Sequence, residues 1–284
     1  MRIAQLRSLP WRLWWTQLRA ILRIEWKKNF LSRRSWWIYL AALAPVILTA
    51  GHSLVAFYRG GANHTLAQDS RVFAGVFQLG YLRMFLFFGC AILFTNLFRG
   101  EVLNRTLHYY FLVPLRREVL AAGKYFSGLI AATVLYAGSV VLAYVMMFLH
   151  FGPQFEEFFY EGPGMAHLVS YAGVTVLACI GYGAVFTVMG LVFRNPMMPA
   201  AVVMVWEAAN AFLPPLLKKV SVIFYLKSLC PVDVPVRGPV ASLLVQEADP
   251  VPAWLAIPGL LLVSGLAMAY AAYRARGIEI SYAE

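Results

Sequence analysis

The residues of this 284-residue chain that could do chemistry are scattered rather than gathered. The five histidines, His52, His64, His108, His150 and His167, show no metal-ligand spacing, and no HExxH run is present. Cys90, Cys179 and Cys230 form no CxxC pair, and two of them lie in apolar runs, so neither a zinc site nor a disulfide framework is expected. Met146-Met147 and Met197-Met198 are soft donors, but at apolar helical positions they read as packing or lipid-facing residues. Gly123-Lys124 is not a phosphate-binding loop. Glu118 stands where the first glycine belongs, and Tyr125 follows where Ser or Thr is required. No catalytic residue, metal or cofactor is therefore assigned to the chain.

Two groups of polar residues do stand out. Arg83, Glu207 and Asn210 lie inside apolar runs, as do His52 and Asn96. A charge at such a place costs at least ~2.5 kcal/mol on insertion scales, so it needs a partner or a cavity. Glu207 and Asn210 facing a translocation path is one reading. An Arg83–Glu207 pair that only holds a bundle together is the other, and the residue types fit both. The second group is residues 99–124, which are basic yet amphipathic. Leu103, Leu107, Tyr110 and Phe111 can share one face of a short helix, and Pro114 breaks it. A short helix continuous with a span on either side is a lever: a partner that moves it moves both spans.

The elements that must position these residues follow from composition. The chain is 61% hydrophobic and only 13% charged, about half the charge of a soluble domain, which carries roughly 25%. A membrane helix needs ~20 apolar residues. Six runs qualify: 35–57, 72–98, 125–151, 168–193, 197–217 and 254–273. The expected fold is one all-α polytopic transmembrane domain of six spans. Net charge is +11, but the basic residues crowd between the runs, which is a topology pattern and not a nucleic-acid face. With the N-terminus inside, the inner segments hold 17 Lys and Arg and the outer ones 6. Both termini are thus expected in the cytoplasm.

In residues 1–34, Trp11, Trp14, Trp15, Leu18, Leu22 and Trp26 follow helical spacing, while Arg12, Arg19, Arg23 and Lys27 lie off that stripe. This describes an amphipathic helix lying on the membrane surface. A soluble helix packed on a partner is the plainer alternative. Residues 218–253 are fairly apolar and broken by five prolines. A hairpin dipping into the membrane, short capping helices, or an ordinary structured loop all fit.

The 99–124 segment resembles the signature of ABC exporter permeases of the type V fold. Glu101, Thr106, Leu107, Pro114, Arg116, Arg117, Gly123 and Lys124 occupy matching positions. Arg105 replaces the usual glycine before Thr106, and His108 stands where an acidic residue is frequent. Leu22-Arg23-Ile24-Glu25-Trp26-Lys27-Lys28 with Ser32-Arg33-Arg34 resembles the family's connecting helix. The resemblance implies a permease subunit of the bacterial inner membrane, most simply an exporter. Glu101, Arg105, Thr106, Leu107, Tyr109, Pro114, Arg116 and Arg117 would couple to the ATPase, and Trp14, Trp15, Glu25 and Trp26 would belong to the connecting helix. It also implies two separate ATPase subunits that bind ATP and Mg, and a second permease chain, identical or homologous.

Three rivals differ in class. An intramembrane enzyme needs a polar constellation at one depth, and none is visible. A secondary transporter should show matching halves, and no internal repeat stands out. A non-transporting scaffold coupled to an ATPase would share the same architecture.

Overall fold

The computed structural model describes residues 11–31, 35–58, 65–234 and 251–277, and all the regular elements among these are helical. The expectations for 1–10, for Ser32-Arg33-Arg34, for 235–250 and for the chain end after Gly277 lie outside the described residues. We number the helices α1 (Trp11–Leu31), α2 (Ser35–Tyr58), α3 (Leu66–Leu103), α4 (Leu107–Phe111), α5 (Arg117–Phe148), α6 (Pro153–Tyr160), α7 (Gly164–Val192), α8 (Met197–Ala208), α9 (Pro215–Lys218), α10 (Val222–Ser228) and α11 (Ala253–Arg276).

Five helices are long and apolar enough to span a membrane: α2, α3, α5, α7 and α11. They coincide with five of the six expected runs, and all five are longer than hydropathy alone suggested, α3 and α5 the most. The 38 residues of α3 reach about 57 Å, nearly twice a ~30 Å hydrocarbon core. The start of α5, from Arg117, and the end of α3, to Leu103, lie at one end of these long helices, and α1 packs there against α5. We call this the α1 end, and the opposite one the far end.

The sixth expected run, 197–217, is shorter than predicted. It forms the 12-residue α8, then a 3-10 turn over Ala209–Phe212. Together these extend about 26 Å, short of a full crossing. The cause is local: Pro214 and Pro215 cannot continue the helix, and the chain restarts as α9. Part of the 218–253 segment is then α10, a seven-residue helix whose Val222, Ile223, Phe224 and Leu226 are buried.

The core is built around α7. In its most apolar stretch 67% of residues are buried, against 28% for α2 and 22% for α11. Helix α7 therefore sits at the centre, and α2 and α11 keep wide apolar faces outward. Crossings are close because glycine permits it. A Cβ on Gly190 would lie 2.7 Å from the Thr95 carbonyl oxygen of α3, and one on Gly183 would lie 2.6 Å from the Phe94 ring. Aromatic side chains fill the remaining core, with Tyr81, Phe87, Tyr136, Tyr144, Tyr171, Tyr182 and Phe186 almost wholly buried. From Val76 to Leu86, α3 winds as a π-helix.

Candidate functional site

At the α1 end, four elements meet on one lysine. Helix α1 turns a buried stripe of Ile21, Glu25 and Asn29 toward α5, at the i, i+4 spacing that repeats along one helix face. Gly123 of α5 receives Ile21, whose side chain would be 3.0 Å from any added Cβ. Asn29 donates from Nδ2 to Ser127 Oγ at 2.9 Å. Between these contacts Lys124, with 0% side-chain exposure, places Nζ 2.6 Å from Glu25 Oε1 and 3.4 Å from Glu101 Oε1.

The cluster extends outward. Lys28 Nζ lies 2.6 Å from Glu101 Oε1 and donates to the Tyr110 hydroxyl at 3.2 Å. Tyr110 in turn donates to Glu25 Oε1 at 2.8 Å. Thr106 donates its hydroxyl to the second oxygen of Glu101. The rings of Phe98 and Tyr110 lie 5.7 and 4.8 Å from Lys124 Nζ, close enough for cation–π attraction. Two carboxylates and two ammonium groups balance, which is what allows Lys124 to be buried at all. Burial alone would push the Glu101 carboxyl up. Lys124, Lys28 and Thr106 outweigh it and hold that carboxyl below its usual range. Burial and the two neighbouring carboxylates push the Tyr110 phenol up, so it remains a donor.

Local geometry explains why Glu101 and Thr106 meet. Helix α3 ends in a Schellman motif. Thr106 N–H donates to the Glu101 carbonyl at 2.9 Å and Arg105 N–H to that of Val102 at 3.1 Å. Such a motif needs a left-handed residue at its penultimate position, and Arg105 takes it at φ 56°. The position where the resembling permeases carry glycine is thus the one where glycine is physically favoured.

After this turn α4 buries Leu107 and presents Tyr109 (62% exposed), Leu112 (78%) and Val113 outward. Leu103 does not share its face as expected, because the chain reversal at Asn104–Arg105 leaves Leu103 on α3 and exposed. Past the break, Gln17 of α1 donates to the Pro114 carbonyl at 3.1 Å, and the Arg116 guanidinium sits 5.0 Å over the Trp14 ring. Arg117 lies 4.6 Å over Phe111 and donates to the Arg276 carbonyl at 2.6 Å. Arg276 also pairs with Glu118 at 2.6 Å. The ends of α1 and α11 are therefore both fastened to the segment around α4. The tryptophan stripe is divided: Trp14 is half-buried, while Trp11, Trp15 and Trp26 face outward.

Toward the far end the polar residues of the apolar runs part company. Glu207 accepts from Val222 N at 3.0 Å, Ile223 N and Ser221 Oγ at 2.8 Å, and Tyr182 Oη at 3.3 Å. It caps the start of α10 and forms no ion pair with Arg83. Asn210 donates weakly to the Lys218 carbonyl at 3.5 Å. Arg83 instead lines a cavity beside α3. A third cluster went unread in the sequence because its members are far apart along the chain. His52 of α2 and His150, just after α5, both approach Asp69 Oδ2 of α3, at 3.2 and 3.4 Å. Among the described residues no group of side chains is arranged to hold a metal ion.

The comparison with family models places this arrangement. The model of the ABC-2 family transporter protein matches residues 21–210, more than half of the chain. The chain belongs to the ABC-2 transporter family. A comparison with curated proteins returned no match. The ABC-2 match takes in Glu25, Glu101, Lys124 and Glu207 together. This ABC-2 chain is accordingly a multi-pass membrane protein of the permease kind, and its family generally works with an ABC-type ATPase. Sequence reading named Glu25, Glu101 and Thr106 as site residues, but it placed Tyr110 only on an apolar helix face and Lys28 and Lys124 only within the family match. A lysine at the edge of an apolar run, matched by two isolated glutamates, was the available signal for the last of these.

Proposed function

We propose that this permease is the driven half of an ATP-powered exporter of the bacterial inner membrane. Two copies of a separate ATPase subunit bind ATP and Mg, and two permease chains form the path. The ATPase docks on the surface of α4, where exposed Tyr109, Leu112 and Val113 are flanked by Arg105 and Arg116. An apolar centre with a basic rim suits a protein partner. The α1 end then lies in the cytoplasm, in keeping with the excess of Lys and Arg in the segments assigned there. Trp11, Trp15 and Trp26 lie at the lipid headgroups.

The observation that carries this reading is the buried bridge of Glu25, Glu101 and Lys124. It joins α1, α3 and α5 behind the exposed surface of α4. A push on α4 is passed as one body to α3 and α5, because breaking the bridge would strand a buried charge. ATP-driven closure of the ATPase pair would therefore tilt both long helices.

The test is co-expression of the full chain with its ABC-type ATPase and co-purification of the two. Leu112→Glu with Tyr109→Glu is expected to abolish association and ATP-dependent transport in vesicles while leaving the thermal midpoint unchanged. If no ATPase co-purifies with the wild-type chain, or the double variant binds as well as wild type, the reading is wrong.

A further inference from the structure

Arg83 is a charge in the wrong solvent. It lies well inside the 38-residue α3, yet it makes no hydrogen bond or ion pair with any described residue, and Glu207 is fully engaged elsewhere. A cation at such a depth needs a counter-charge or an aqueous cavity. The cavity exists. Arg83 opens on a space of about 1220 Å³ between α3, α8 and α10, larger than most small-molecule sites.

Two more cations line that space, Arg71 of α3 and Lys227 of α10, and neither forms an ion pair among the described residues. Among the described residues Asp233, at the exposed rim, is the carboxylate on the lining, so the described part of the wall carries a net charge of about +2 at neutral pH. The rest of the wall includes Leu79 and Phe212, so the space is cationic in part and apolar in part. The π-helical winding of Val76–Leu86 contributes. In an α-helix residues five apart, such as Gln78 and Arg83, diverge by about 140° around the axis. The wider π turn brings both onto this wall, where Gln78 also anchors the far segment by donating to the Val232 carbonyl at 2.7 Å.

We propose that this cavity binds a phosphate group at Arg83, with Arg71 and Lys227 elsewhere on the wall adding positive potential and the apolar walls taking any hydrocarbon attached to it. Phosphate suits the site better than a carboxylate. Its several charged oxygens can accept the whole fork of the Arg83 guanidinium, and its higher charge gains more from the positive potential of the wall. The site is independent of how the permease is driven, so it stands or falls apart from the coupling reading. The same chemistry has two sources, the headgroup of an anionic lipid and a free phosphate.

The experiment titrates the purified full-length protein with three probes: dihexanoyl phosphatidylglycerol, dihexanoyl phosphatidylcholine and inorganic phosphate. The glycerol lipid is expected to bind at least about tenfold more tightly than the choline lipid, whose quaternary ammonium the basic wall repels. Arg83→Gln is expected to weaken that binding about tenfold and Arg83→Lys to recover part of it. The ligand-free thermal midpoint should not fall, because Arg83 has no hydrogen-bond or ion-pair partner among the described residues to lose. Should Arg83→Gln fail to fold, Arg71→Gln and Lys227→Gln at the cavity wall are expected to weaken binding several-fold. Binding of inorganic phosphate with the same Arg83 dependence, and no preference between the lipids, assigns the site to free phosphate. Equal binding of both lipids, unmoved by all these variants, or no binding of either phosphatidylglycerol or phosphate, overturns the proposal.

Discussion

Lys124 Nζ lies 2.6 Å from Glu25 Oε1, with both side chains sealed from solvent, although 99 positions separate them in the chain. This pair converts α1 from a surface accessory into a structural part of the long-helix bundle.

Its strength is open to a mutant cycle. Lys124→Met leaves Glu25 buried beside an apolar group and is expected to cost about 3–5 kcal/mol. Lys124→Met with Glu25→Leu removes the stranded charge and should cost clearly less than Lys124→Met alone. Thermal unfolding of the solubilised protein measures both. Equal losses for the single and double variants would mean that the pair is not what holds α1 in place.

Arg105 offers a stabilising change. Its φ of 56° costs an L-residue roughly 1–2 kcal/mol, part of which glycine returns as unfolded-state entropy. Arg105→Gly is expected to stabilise the protein by about 0.5–1 kcal/mol, and Arg105→Val to destabilise it. A lower unfolding midpoint for the glycine variant would contradict the left-handed turn.

Acid should loosen the α1 end through Glu101. Its carboxyl is held below its ordinary value once Lys124, Lys28 and Thr106 have overcome the opposing effect of burial. The folded state therefore favours the ionised form. That stabilisation is complete above the unfolded value of about 4.3 and is lost as pH falls through the lower folded value. Glu101→Gln should unfold at a lower temperature than wild type at neutral pH, and the difference should shrink toward pH 3. A gap that stays constant with pH would show that Glu101 is not the titrating group.

Glu207 is expected to matter to α10 and not to Arg83. Glu207→Ala removes the acceptor of two backbone N–H groups and should cost about 1–3 kcal/mol. Amide exchange at Val222 and Ile223 should rise ahead of the rest of the bundle. Arg83→Gln should leave those amides protected. Coincident loss of protection in both variants would restore an Arg83–Glu207 link.

Much of this protein is one-dimensional information. Apolar runs long enough to cross hydrocarbon reveal themselves by length, and five of the six are single long helices. The sixth was misjudged in extent because hydropathy counts apolar residues without regard to backbone. Pro214 and Pro215 end the helix however apolar their neighbours are. Glu101 and Thr106 were singled out by the family resemblance alone, and the helix-terminal turn that brings them together is a finding of the structure.

What tertiary structure alone decided is which charges meet. The sequence determined that Arg83 and Glu207 sit in apolar runs and so need compensation, and it showed no such need for Glu25 or Lys124. It did not determine the compensation, because an ion pair or a cap is chosen by the crossing of helices far apart in the chain. Close contact of α1 with α5 at Gly123 sends Lys124 to Glu25 and Glu101. The return of the chain after Lys218 sends Glu207 to the amides of α10. Arg83, on a stretch wound into a π-helix, is left facing a cavity. A charge in an apolar run announces its own cost in sequence, and only the packing of the bundle says what offsets it.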